Sequence, residues 1–105
     1  MHKLIVAIVR HEQLEDLTSA LKKERINFTY SEVKGFCGEV HLYHKDIQSR
    51  TKVEIVLNEE DVEKAKDIIM ENACCGLEGD GCLSVYILDE HVMFPPGRES
   101  GFRVI

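Results

Sequence analysis

The sequence has no tryptophan, and aromatic residues make up only 7% of its 105 positions. So few rings leave little for nucleobases to stack on. Positive charge is also short: 13 Lys and Arg stand against 19 Asp and Glu, a formal net charge of −6 with His neutral. Such a chain has no excess positive field to hold phosphate backbones, which argues against a nucleic-acid partner. The longest apolar run, Leu4 to Val9, falls far short of the roughly 20 residues that a membrane-spanning helix needs. No secretory h-region or cleavage pattern is present, so the expected setting is cytoplasmic. The four cysteines, Cys37, Cys74, Cys75 and Cys82, include no CxxC pair. In a cytoplasm they are expected to be reduced, and adjacent Cys74 and Cys75 do not easily bridge each other. Buried or inert thiols are the simplest reading. The two prolines fall together in Phe94-Pro95-Pro96-Gly97, so residues 94–105 read as an irregular C-terminal segment.

What is present is globular. Hydrophobic residues make up 44% and charged residues 30%, a balance that buries a core, and the length suits a single domain over 1–105. Lys3–Val9 is β-branched and apolar on both alternate sets, as in a central strand covered on both faces. Leu14, Leu17 and Leu21 recur at helical spacing and predict a helix from about Glu12 to Arg25. Phe28–Phe36 is a second strand and Thr51–Leu57 a third, with Lys52 and Glu54 on one face and Val53 and Ile55 on the other. Asn58 is placed to cap the next helix, whose stripe is Val62, Ala65, Ile69 and Ala73 and whose end is Gly76. Gly79-Asp80-Gly81 reads as a turn and Cys82–Leu88 as a fourth strand. The order β-α-β-β-α-β is the ferredoxin-like α+β arrangement, a four-stranded antiparallel sheet with both helices on one face. The other face of the apolar first strand then needs cover, most simply from further subunits.

Four groups of residues are candidates for chemistry. Gly35 and Gly38 flank a strand exit in Glu32-Val33-Lys34-Gly35-Phe36-Cys37-Gly38, where bare backbone lets amides approach a ligand. A tight strand exit needs the same glycines. Gly79-Asp80-Gly81 also offers amides to an anion, although Asp-Gly is an ordinary turn signal. His41 and His44, three apart with Cys37 and Glu39 near, have a spacing that can hold Zn²⁺ or a similar ion; exposed loop histidines are the simpler reading. Of the other histidines, His2, His11 and His91 stand alone in sequence. Lys34, Arg50, Lys52, Arg98 and Arg103 are the cations able to reach a phosphate. No catalytic constellation appears: Cys37 has no defined base, and the carboxylates cluster on helices. A non-enzymatic protein is expected.

In these blocks the sequence resembles the PII-like signalling proteins over nearly its whole length. Met1 to Val9 is similar to the family's first strand. Thr29 with Ser31-Glu32-Val33-Lys34-Gly35-Phe36 resembles its most recognisable block, Lys52 to Leu57 the strand that follows its large T-loop, and Gly79-Asp80-Gly81 its B-loop. The resemblance implies a homotrimer with three intersubunit clefts, no required cofactor, and sensing of an adenine nucleotide. It implies control of a membrane transporter or enzyme through a T-loop, here the short segment 37–49. On matching positions Gly35, Phe36 and Cys37 line the cleft, with Gly38 following. Thr29 lies near the adenine, Glu54 and Val56 on the strand wall, and Gly79, Asp80 and Gly81 by the phosphates. Arg50 stands where the family has a lysine.

The chain also departs from the family. The family's Arg-Gln pair becomes Gly38-Glu39, and the lysine after the B-loop glycine is Cys82. Lost charge-assisted contacts cost roughly 1.5–3 kcal/mol each, so ATP suffers more than ADP or AMP. Arg98 and Arg103, folding back, are candidates to replace the lost charge. Bicarbonate is a second ligand by resemblance to divergent branches of the family. The alternative is a metal-responsive protein using His41 and His44, or a ligand-free interaction trimer.

Overall fold

The computed structural model describes residues 1–35, 47–74, 76 and 81–94. Strand β1 (His2–Val9) leads through a 3-10 turn (His11–Gln13) into helix α1 (Leu14–Lys23). Strands β2 (Thr29–Gly35) and β3 (Gln48–Asn58) follow, then a second 3-10 turn (Glu59–Asp61), helix α2 (Val62–Ala73) and strand β4 (Gly81–Ile87). All pairings are antiparallel and the sheet order is β2-β3-β1-β4. The ferredoxin-like arrangement expected from the sequence is the one observed.

The alternation in β1 sets the core. Ile5, Ala7 and Val9 are at most 2% exposed, whereas Leu4, Val6 and Ile8 are half-buried. The first set meets the helices. Leu17 and Leu21 of α1 and Val62, Ala65, Ile69 and Ala73 of α2 close over it, together with Val53 and Ile55 of β3. Burying each large aliphatic side chain stabilises by about 1.5–3 kcal/mol. The second set faces the side of the sheet that carries no helix. β1 is thus central, as its two-sided apolar pattern predicts, but within one chain only one of its faces is closed.

Several boundaries differ from the sequence expectation. The helix expected over Glu12–Arg25 begins as a 3-10 turn, and α proper runs Leu14–Lys23. It closes when the Ile26 N–H donates to the Leu21 carbonyl at 3.0 Å and the Arg25 N–H to that of Lys22 at 3.0 Å, with Arg25 at φ 60°. This paired closure normally recruits glycine at the left-handed position, so no glycine signal marked the end. β3 begins at Gln48, not Thr51, because Gln48 and Ser49 pair with Gly35 and Lys34. The loop expected to reach Ser49 is shorter by those two residues. Asn58 makes no side-chain cap; it ends a strand, and the Glu59 N–H beyond it donates to the Met1 carbonyl at 3.0 Å. α2 stops at Ala73, with Gly76 beyond at φ 82°. Gly81, expected in a turn, opens β4. Cys74 and Cys82 are exposed free thiols rather than buried ones. No described helix is long and apolar enough to cross a membrane.

Candidate ligand-binding site

Sheet register gathers five of the expected site residues, Thr29, Gly35, Arg50, Glu54 and Val56, on two neighbouring strands. Thr29 of β2 lies opposite Glu54 of β3, and Glu54 lies opposite Val6 of β1. Val56 is opposite Leu4, which is opposite Tyr86 of β4. Nearer the start of β3, Lys52 stands between Ser31 and Ile8, Arg50 faces Val33, and Gln48 faces Gly35. Directly opposed side chains start about 4.5–5.5 Å apart. The result is one strip carrying Thr29, Glu54 and Val56, continued by Lys52, Arg50 and Gly35 towards one end of the sheet.

Arg50 is held at that end. One guanidinium nitrogen donates to the Ser49 carbonyl at 2.9 Å and another to Gln48 Oε1 at 2.7 Å. Guanidinium has five N–H donors, so this tether fixes its position while leaving capacity for an anion. A Cβ at Gly35 would meet nothing within 4 Å. Its value at the site is therefore an open approach to the backbone.

Gly81 lies at the same end but on the far edge of the sheet, opposite Val9. Three strand spacings separate β4 from β2, about 14 Å at 4.7–4.9 Å each. One chain therefore cannot wrap Gly81 and Thr29 around one small ligand. A cleft that uses both sets needs the β4 edge of another copy. The exposed Val85, Tyr86 and Ile87 of β4, at 39%, 52% and 67%, give that edge an apolar surface. Phe36, Cys37, Gly38, His41, His44, Gly79, Asp80, Arg98 and Arg103 lie outside the described residues.

Sequence reasoning missed one polar chain. His11 Nε2 lies 3.4 Å from Glu32 Oε2, and its Nδ1 shares a 2.6 Å hydrogen bond with Thr51 Oγ1. With Nε2–H turned to the carboxylate, Nδ1 accepts and the Thr51 hydroxyl donates. The order hydroxyl, imidazole, carboxylate is that of a nucleophile with its base. Thr51 is only 2% exposed, however, so no substrate reaches it. The trio fastens the first 3-10 turn to β2 and β3. Its members are 40 residues apart in the case of His11 and Thr51, and no local motif marks such a pairing. Among the described residues no three His, Cys, Asp or Glu side chains converge as a metal site.

Comparison with known proteins identifies the family. The family model described as "Nitrogen regulatory protein P-II" matches residues 2–92. Nitrogen regulatory protein P-II 2 of Methanothermobacter thermautotrophicus is 35% identical over 112 aligned residues, covering 98% of this chain and 96% of that protein. Nitrogen regulatory protein P-II of Pasteurella multocida is 33% identical over 107, covering 93% and 96%. That of Rhodospirillum rubrum is 31% identical over 108, covering 94% and 96%. With the ferredoxin-like fold and a match along nearly all its length, this chain belongs to the P-II nitrogen regulatory protein family.

Proposed function

We propose that this chain is a regulatory protein that binds an adenine nucleotide between copies of itself and signals through the segment between β2 and β3. The observation that carries this reading is that Gly35 on the β2 edge, with Arg50 on the adjoining β3, lies at the same end of the sheet as Gly81, which is on the opposite, β4 edge. A homotrimer places one copy's β4 edge beside the next copy's β2–β3 strip and closes a cleft at each junction. Thr29, Glu54 and Val56 line the strand wall for the base and sugar. Arg50 and the Gly81 end take the phosphates. Ligand in that cleft contacts the roots of the β2–β3 connection, so occupancy shifts that connection between conformations and changes its fit to a transporter or enzyme. Because Cys82 follows Gly81 where a cation is usual in the family, ADP or AMP is preferred over ATP.

A thermal-unfolding panel with ATP, ADP, AMP and bicarbonate tests the reading. A ligand at about 100 times its Kd stabilises by about 2.7 kcal/mol. ADP or AMP should raise the midpoint, and Arg50→Ala should reduce the rise. A flat response to every nucleotide would overturn it.

A further inference from the structure

Strand β2 is held lightly. It lies at the edge of the sheet and pairs with β3, and apart from the half-buried Val33 all of its residues are exposed. β3 differs: its Thr51, Val53 and Ile55 are buried. A strand with so little buried surface opens more readily than the core does. β2 also leads into the connection to β3, from Gly35 opposite Gln48. Three residues back along each strand from that pair, Glu32 stands opposite Thr51, a distance of roughly 10 Å at about 3.4 Å per residue. His11 spans this second pair from the turn between β1 and α1. Its Nδ1 lies 2.6 Å from Thr51 Oγ1 and its Nε2 3.4 Å from Glu32 Oε2. The turn itself is closed by the Gln13 N–H, which donates to the Arg10 carbonyl at 3.0 Å.

We propose that His11 is a positioning residue for the β2–β3 connection: aimed by Thr51, its ring holds Glu32 and so sets how β2 enters that connection. The two contacts play different parts. The Thr51 side chain is buried, and a buried hydroxyl left unmatched is costly, so this bond orients the ring. The contact with Glu32 is exposed and weak by itself. It gains effect because it reaches an edge strand whose side chains are otherwise mostly in solvent. His11 thereby ties the entry to α1 to the strand that carries Gly35, so a shift of β2 is felt at the helix layer. The inference rests on the signalling role proposed for the connection and adds to it a residue outside the ligand strip.

Hydrogen exchange followed by mass spectrometry on the full protein, without nucleotide, tests this role. In His11→Ala the segments 30–35 and 48–51 should exchange about 2- to 10-fold faster than in the parent, as for the loss of one net hydrogen bond. α2 should keep the parent's rate. Thr51→Val, which frees the ring, should act in the same direction at 30–35. His11→Gln, whose amide carries a donor for Glu32 and an acceptor for Thr51, should restore slow exchange. Unchanged exchange at 30–35 in His11→Ala would overturn the proposal. So would an equal rise in α2, which would make His11 an ordinary stabilising contact, or a failure of His11→Gln to restore the parent's rate. With no nucleotide present, these outcomes are separate from the thermal panel. A flat nucleotide response beside the expected local exchange would remove the ligand and leave the hold on β2.

Discussion

Gly81 packs against Ile8 so closely that a Cβ at position 81 would overlap the Ile8 carbonyl oxygen and lie 3.1 Å from its carbon. The φ of 154° at Gly81 adds a backbone conformation that L residues rarely adopt. Relief is unavailable, because the obstructing atoms are backbone in the central strand. Gly81→Ala should therefore destabilise by at least the 1–3 kcal/mol typical of a strained residue, roughly. Urea denaturation would read this as a lower midpoint. An unchanged midpoint would mean that the β1–β4 approach is looser than described.

His11 and Thr51 should be energetically coupled. Thr51→Val keeps the shape and removes the hydroxyl; His11→Ala removes the ring. A net hydrogen bond contributes about 0.5–1.5 kcal/mol, so a double-mutant cycle should return a coupling in that range. A coupling near zero would leave the 2.6 Å contact without stabilising effect.

Lys64 Nζ meets Glu24 Oε1 at 2.6 Å and joins α2 to the end of α1. The hydrogen bond and then the charge of Lys64 hold the Glu24 carboxyl below its ordinary value; the same two influences from Glu24 hold Lys64 above its own. A lowered acid stabilises above its unfolded pKa and loses that contribution as pH falls through the lowered one. A raised base stabilises below its unfolded pKa and loses it as pH rises through the raised one. The pair should thus help across neutral pH and fade at both extremes. Both groups are exposed, so the effect is small and screened by salt. Comparing parent with Glu24→Gln across pH, the midpoints should differ at neutrality and converge in acid. A constant difference would remove the linkage.

Leu17 is fully buried between helix and sheet. Leu17→Ala should cost about 2–5 kcal/mol, with the denaturant slope unchanged. A smaller loss would show that the site collapses onto the cavity.

Val6 lies between Glu54 and Ser84 on the face without helices. Val6→Asp puts a second negative charge beside Glu54 where another copy is expected to pack. If the proposed homotrimer packs through this face, sedimentation should show it falling to monomer in the variant while circular dichroism stays native. A trimer of undiminished stability would place the subunit contact elsewhere.

The sequence by itself determined the element order and the core. Leu17 and Leu21, Val53 and Ile55, and the alternation in β1 are period signals, and burial of apolar surface acts on any chain that carries them. It also marked Thr29, Gly35, Glu54 and Val56, because the resemblance places them on two recognisable strands. Tertiary structure decided what depends on pairs distant in the chain. The 3-10 entry to α1 and the left-handed Arg25 are a separate case, closed by local backbone bonds such as Arg25 to Lys22 and Ile26 to Leu21, and no glycine announces them. The extension of β3 to Gln48 comes from pairing with β2, which polar residues do not announce. Sheet order alone separated Gly81 from Thr29 by the width of the sheet, so the two can share a ligand only across copies. It likewise brought His11 to Thr51. Such contacts are made by strand register, a non-local property, and no spacing in the sequence encodes them.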